Sequence, residues 1–104
     1  AFIRHAEEMG AYLMGRLANW PGKHRLVGNV RGKGLMIGIE LVRNKRTKQP
    51  ATEERDGIQL AAFHRGLLVL GAGESTIRLS PPLVINRTQA DFALEVLEEC
   101  LEKA

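Results

Sequence analysis

An arginine lies in the middle of an apolar strand pattern near the end of the sequence. The stretch TIRLS places Arg78 between Ile77 and Leu79. Because side chains alternate along a strand, Arg78 faces away from both, with Thr76 and Ser80. A guanidinium offers a planar fork of donors that suits a carboxylate held by two hydrogen bonds. Two partners remain open, a structural Asp or Glu or an anionic ligand, and the residue pattern alone favours the structural ion pair.

The other reactive side chains form no recognisable catalytic or metal set. The three histidines, His5, His24 and His64, lack the i, i+4 spacing or cysteine neighbours of a metal site, so we predict solvated surface positions for them. Cys100 falls on the apolar face of a helical pattern without an adjacent base, which is typical of a core thiol. No His and Asp arrangement accompanies the serines, so a serine hydrolase is not indicated.

Two polar stretches resemble phosphate-binding sequences only superficially. GAGEST matches neither GxxxxGK[ST] nor GxGxxG and precedes a strand, which indicates a turn. The basic stretch RNKRTKQ, residues 43–49, is typical of a solvated loop. The net charge is only +3, and the chain has one Trp, one Tyr and three Phe, too few for a surface that stacks bases. We expect no nucleic-acid partner.

Length and composition indicate a single soluble domain. The 104 residues are 44% hydrophobic and 26% charged, an ordinary balance for a globular protein, and we expect one domain over residues 1–104. No apolar run approaches the roughly 20 residues of a membrane span, and AFIRHAEEMG carries charges where a signal peptide would be apolar. We predict a cytoplasmic protein without a membrane partner. A first residue that is not Met, already within helical periodicity, suggests a piece of a longer chain.

Apolar periodicity predicts the first half of the fold. Residues 2–20 carry apolar side chains at steps of three and four, which predicts an amphipathic helix ended by Pro21. Residues 25–30 and 34–42 then predict two strands joined by the turn RGKG. The second strand has one core face, formed by Leu35, Ile37, Ile39 and Leu41.

The second half repeats the alternation of helix and strands. Thr52 is the predicted cap of a helix that ends near Gly66. Residues 67–70 and 76–80 predict two further strands, stopped by Pro81 and Pro82, and Thr88 is the predicted cap of the last helix. The resulting order, helix, strand, strand, helix, strand, strand, helix, predicts an α+β fold with helices covering a mainly antiparallel sheet.

Three blocks of sequence carry a resemblance to a known family. Together VRGKGLMIGIELV, GLLVLGAGESTIRLSPPLVI and ALEVLEECLEKA resemble the C-terminal small domain of class III (fold-type I) pyridoxal-phosphate-dependent aminotransferases, the group of the 4-aminobutyrate, ornithine and acetylornithine enzymes. The resemblance covers almost the whole chain. Its most specific parts are RGxGLMxGIEL at 31–41 and IRxxPPL at 77–83.

The resemblance implies a longer enzyme with pyridoxal 5'-phosphate as cofactor. It implies a large domain that carries the cofactor, a second subunit in a homodimer, and transfer of an amino group from an ω-amino acid such as 4-aminobutyrate to a 2-oxo acid. It also implies that the arginine of IRxxPPL, Arg78 here, binds the substrate carboxylate. The cofactor's lysine belongs to the large domain in this family, and no lysine of this chain corresponds to it. We therefore expect no bound cofactor and no activity for these 104 residues alone.

Three other functions remain open, and one of them is a purely structural dimerisation piece that exposes apolar surface. A related pyridoxal-phosphate-dependent amino-acid racemase would use the same scaffold. A free-standing binding or regulatory module would use the sheet without the cofactor.

Overall fold

The computed structural model of the protein describes residues 2–33, 36–80 and 85–104. Four helices and five strands lie in these ranges, in the chain order α1 Phe2–Leu17, α2 Trp20–Lys23, β1 Val27–Lys33, β2 Met36–Asn44, β3 Gln49–Pro50, α3 Thr52–His64, β4 Leu70–Ala72, β5 Thr76–Leu79 and α4 Arg87–Lys103. Predicted features at Gly34, Leu35, Pro81 and Pro82 lie outside the described residues.

All strand pairings among the described residues are antiparallel. The main sheet has the order β1-β2-β5-β4, and the short β3 pairs with β2 beyond the end of β5. Strand β2 therefore lies in the middle of the sheet, between its hairpin partner β1 and the more distant β5. The structure confirms the predicted α+β fold with an antiparallel sheet and covering helices.

One face of the sheet packs against α1 and α3, and α4 packs against these two helices and contributes side chains to the same core. Alternate residues of β2 and β5 point into it, as the strand periodicity predicts: Ile37, Ile39, Leu41, Ile77 and Leu79 are all buried. The helices contribute the other side of the same cluster, chiefly Leu13, Leu17, Ile58, Leu94 and Leu97. Each such side chain contributes roughly 1.5 to 3 kcal/mol by leaving water, so this layer dominates the stability of the fold.

The first predicted helix is in fact two helices. Helix α1 ends at Leu17, and the one-turn α2 begins at Trp20 with Pro21 in its first turn. A proline is tolerated there because the first amide groups of a helix have no intrahelical acceptor. Pro21 therefore starts a new turn rather than stopping the old one, and this turn packs Trp20 into the core.

Two predicted helix caps are wrong. Thr52 is already helical, and the residue before α3 is Ala51, which makes no side-chain cap. Helix α4 is capped by Asn86 instead of Thr88: the Asn86 side chain accepts from the amide of Gln89, 2.8 Å away, and the Gln89 side chain accepts from the amide of Asn86 at 3.0 Å. This reciprocal pair satisfies two amide groups that would otherwise lack acceptors.

The strand predicted at 67–70 lies further along the chain. Strand β4 covers Leu70–Ala72, and Ala72 pairs with Thr76 across a three-residue turn. Pairing with β5 thus sets the position of β4, and the apolar run LLVL serves mainly as a connection from α3. The GAGEST stretch forms a turn between strands, as predicted.

Candidate functional site

Arg78 lies in β5 on the face of the sheet opposite the helices. It pairs with Gly38 of β2 on one side and with Leu70 of β4 on the other. Its neighbours Ile77 and Leu79 are buried in the core, so the alternation of the strand directs Arg78 outward, as predicted. Thr76 and Ser80 share its face.

A groove of about 440 Å³ runs along this outer face beside Arg78. We call it the Arg78 groove; its lining residues come from all four main strands and are Arg31, Gly32, Met36, Ile37, Gly38, Ala72, Gly73, Thr76 and Arg78. Gly38 lies between Arg31 of β1 and Arg78 of β5 in one row across the sheet. Because neighbouring strands are about 4.8 Å apart, the two arginine backbones are about 10 Å apart, and the glycine between them keeps the floor of the groove low.

The groove is positively charged. Among the described residues no Asp or Glu lines it. Nη1 of Arg31 lies 3.5 Å from Oε2 of Glu40, a long contact between exposed groups that neutralises little charge. Arg78 makes no ion pair or side-chain hydrogen bond with another described residue. The structural ion pair favoured by the residue pattern alone therefore does not form within the described part of the chain, and the guanidinium is open to an anion.

The groove does not fit pyridoxal phosphate itself. That cofactor is held through a lysine amine, and none of the described residues that line the groove is a lysine. Lys23 instead forms an ion pair with Glu98 of α4, at 2.8 Å. The described residues of the groove can instead bind and orient a carboxylate.

A second arginine, Arg55 of α3, supports the strand that carries Arg78. Arg55 is only 9% exposed. Its Nη1 donates to the carbonyl oxygens of Ala72, at 3.2 Å, and Thr76, at 2.9 Å. Its Nε donates to the carboxylate of Asp56 at 2.9 Å. Arg55 occurs in the polar run TEERD, where a charge is ordinary, so the sequence gives no signal of its buried position.

Two of the three histidines are less solvated than predicted. His24 is only 8% exposed, and its Nε2 lies 2.7 Å from Oε2 of Glu98, so the prediction is wrong for this residue. Hydrogen bonds from Lys23, and to a lesser extent from His24, hold the pKa of the Glu98 carboxyl below its usual range. His5 is half-buried with Nε2 2.5 Å from the carbonyl oxygen of Ile85, whereas His64 is exposed. The described residues contain no group of three or more side chains suited to a metal ion.

The remaining sequence predictions concern a thiol and the membrane. Cys100 of α4 is buried in the hydrophobic core, which confirms the prediction of a core thiol. None of the helices within the described ranges combines the length and the apolar character needed to cross a bilayer.

Comparison with known proteins identifies relatives of nearly the whole chain. Residues 1–101 match the sequence model of the family Aminotransferase class-III. Leucine/methionine racemase of Thermococcus litoralis is 37% identical over 95% of this chain and 22% of the racemase. Alanine–glyoxylate aminotransferase 2 of Homo sapiens, a mitochondrial protein, is 40% identical over 93% of this chain and 20% of that enzyme.

Solved structures show the same fold at high similarity. An aminotransferase of Bacillus anthracis superposes with a TM-score of 0.93 at 34% identity, over 99% of this chain and 24% of the other. An amine transaminase of an uncultivated Pseudomonas species, in its pyridoxal-phosphate-bound form, gives 0.86 at 38% identity over 95% and 23%. This chain therefore spans about a fifth to a quarter of the proteins it resembles.

Proposed function

The chain belongs to the class-III aminotransferase family, and from this premise we propose that residues 1–104 are the substrate-binding C-terminal small domain of a longer pyridoxal-phosphate-dependent aminotransferase. The short span of the chain against its relatives, 20% to 24% of their length, supports a longer protein. The observation that carries the proposal is the outward-facing Arg78 in a positive groove without a carboxylate partner among the described residues.

Arg78 binds the substrate carboxylate in this proposal. Its fork of N–H donors holds both carboxylate oxygens, which fixes the orientation of the substrate as well as its charge. Strand β5 supplies a rigid support, because Ile77 and Leu79 on either side of Arg78 are locked in the core. The rest of the protein covers the groove and excludes water, which strengthens the ion pair.

The cofactor belongs to the remainder of the longer protein. Pyridoxal phosphate, when bound there, supplies the electron sink for moving an amino group between an amino acid and a 2-oxo acid. The proposed donor is an ω-amino acid such as 4-aminobutyrate, with its carboxylate at Arg78. The 104 residues alone bind no cofactor and transfer no amino group in this proposal.

A racemase is the second candidate, and the 37% identity to a leucine/methionine racemase favours it. A racemase must also hold the carboxylate of its amino acid, so Arg78 would serve both reactions. Incubating the complete protein with L-alanine and no 2-oxo acid separates the two. Accumulation of D-alanine identifies a racemase, whereas an aminotransferase gives a single turnover to pyruvate.

Replacing Arg78 with glutamine tests the carboxylate site in the complete protein. The donors are chemical pairs that differ by a carboxylate in place of a methyl group: 4-aminobutyrate with butylamine, and L-alanine with 2-aminopropane. The donor half-reaction is followed without a 2-oxo acid by the absorbance of the cofactor. Loss of a desolvated charge pair costs about 2 kcal/mol or more, so we expect Arg78→Gln to lower kcat/KM for the carboxylate donors by about 30-fold and to leave the amines within about twofold.

The matched control is Arg46→Gln, which removes an exposed arginine from the loop after β2. We expect this variant to leave kcat/KM unchanged for all four donors. Equal losses for carboxylate and amine donors in Arg78→Gln, or no loss for either, would refute the assignment of Arg78.

Two further properties follow from the same proposal. The complete protein forms a homodimer, which light scattering of the purified protein checks. It resides in the cytoplasm, which cell fractionation with an antibody against this chain checks.

A further inference from the structure

A buried guanidinium holds the two strands of the β4–β5 hairpin together. Nη1 of Arg55 donates to the carbonyl oxygens of Ala72, the last residue of β4, and of Thr76, the first residue of β5. These two residues pair directly across the three-residue turn. One arginine from α3 therefore joins both ends of the turn from the core side of the sheet.

Gly71, which has no side chain, leaves the space that the guanidinium of Arg55 occupies. A Cβ atom at Gly71 would lie 2.9 Å from Nη1 of Arg55, closer than real Cβ contacts come, and 3.1 Å from its Cζ, which is a tight contact. Gly71 pairs with Ile77, so it lies on the core face in the row next to the Ala72–Thr76 pair, whose carbonyl groups Arg55 binds. A side chain at this position would displace the guanidinium or lift β4 off it.

Hydrogen bonds from other elements also hold this hairpin: Gln59 of α3 donates to the carbonyl oxygen of Val69, at 3.3 Å, and the amide of Leu41 donates to the carbonyl oxygen of Ser75 in the turn, at 3.0 Å. Strand β4 has only three residues and forms the edge of the sheet, and its Leu70 is exposed. Strand β5 is better supported, because it also pairs with β2. The contacts of Arg55 add to these by joining β4 to β5 at the turn, and Ala72 and Gly73 there form one wall of the Arg78 groove.

We propose that Arg55 is a positioning residue that, together with the space left by Gly71, fixes the β4–β5 hairpin and thereby the orientation of Arg78 toward the substrate carboxylate. The part concerning substrate rests on the function proposed above for Arg78. Thr76, which Arg55 holds, is two residues before Arg78 and shares its face, so a shift at the turn is transmitted directly along β5.

The test uses three variants of the complete protein. Arg55→Met keeps the length and the apolar stem but removes every donor. Arg55→Lys keeps one charged donor that can reach a carbonyl oxygen, and Gly71→Ala leaves Arg55 intact but fills its space. Thermal unfolding curves of all variants are used to choose a temperature for the measurements at which every variant is folded.

The first measurement is hydrogen exchange by mass spectrometry. We expect faster exchange over residues 70–79 in Arg55→Met and Gly71→Ala, with the amides of β1, which lie at the other edge of the sheet, unchanged. The second measurement is the donor half-reaction. Since small displacements of a positioning group have large kinetic effects, we expect the half-saturating concentration of 4-aminobutyrate to rise by about tenfold in both variants, with butylamine unchanged and with a partial return in Arg55→Lys.

The outcomes separate this inference from the proposed function. Unchanged exchange over 70–79 in Arg55→Met overturns the inference, and so do equal losses for 4-aminobutyrate and butylamine, which indicate a merely structural role. If Arg78→Gln itself leaves 4-aminobutyrate unaffected, the proposed function fails, and the exchange measurement alone then decides whether Arg55 fixes the hairpin.

Discussion

At the scale of single residues, one carboxylate of the last helix binds the end of a short helix. Glu98 of α4 accepts from Lys23 of α2 at 2.8 Å and lies 2.7 Å from Nε2 of His24, which follows α2 directly. His24 also stacks edge-on against Trp20, with ring centroids 5.4 Å apart. Glu98 thus anchors the short helix α2 to the last helix, and the contribution of these contacts to stability depends on the negative charge of Glu98.

We predict that Glu98→Gln lowers the free energy of unfolding at pH 7 by about 1 kcal/mol, the usual size for a partly buried charged contact. The pKa of Glu98 is lowered in the folded state, chiefly by the hydrogen bond from Lys23. Its stabilisation is therefore fully present above the ordinary glutamate pKa of about 4.3 and is lost as the pH falls through the lowered value. Urea unfolding of both proteins from pH 7 downward should show their difference shrinking at acid pH.

Glu95→Gln is the control, because Glu95 lies on the exposed side of α4 and forms no ion pair with a described residue. It should leave the unfolding free energy nearly unchanged at every pH. A difference between Glu98→Gln and the native protein that persists undiminished at low pH would show that the charge is not the source.

Residue types alone locate Arg78 but neither Arg55 nor His24. An arginine between buried Ile77 and Leu79 is unusual, and the alternation of a strand fixes the face it occupies. By contrast, a charged residue in the first turns of a helix, such as Arg55, is ordinary, and so is a histidine close to a proline, such as His24. Their burial depends on β4 and α4, which return to them from 17 and 74 residues further along the chain.

At the scale of elements, the start of α4 is set by a reciprocal pair of polar side chains. The Asn86 side chain and the Gln89 side chain each accept from the other's backbone amide. We predict that Asn86→Ala lowers the free energy of unfolding by about 1 kcal/mol, as is typical for loss of such a cap. Chemical denaturation measures the difference.

Thr88→Ala is the matched control, since Thr88 is the cap that the sequence predicts. It lies exposed inside the first turn, where alanine is a better helix former, so the change should be within about 0.5 kcal/mol or slightly stabilising. A larger loss of unfolding free energy in Thr88→Ala than in Asn86→Ala would show that Thr88 is the cap.

Elements with strong periodicity are predictable from the sequence, and their boundaries are less so. The alternation of Ile37, Ile39 and Leu41 with Met36 and Gly38 identifies β2 because only one face of the sheet is covered by helices. Strand β4 is too short to carry such a pattern, and its position follows from pairing with β5. Asn86 and Thr88 are both favoured cap types, with Asn somewhat the better, and backbone geometry decides between them.

At the scale of the whole molecule, the two-layer fold leaves an apolar surface uncovered. Leu60, Phe63 and Leu68 are 58%, 61% and 73% exposed and line one groove beside α3. Leu68 also borders a second groove with the exposed Phe92. Contiguous apolar surface of this kind is typical of an interface, and in the proposed longer protein the remaining part of the chain covers it.

We therefore predict that the 104-residue chain by itself associates with further copies through this surface. Sedimentation velocity should show a concentration-dependent increase in size that persists in high salt, because apolar burial is not screened by ions. The double variant Phe63→Ser, Leu68→Ser should weaken association by more than about tenfold, since burying one large apolar side chain contributes roughly 1.5 to 3 kcal/mol. Arg46→Ser, on a distant polar loop, should leave association unchanged. A chain that stays monomeric at all concentrations, or association that high salt abolishes, would show that this surface does not drive contact.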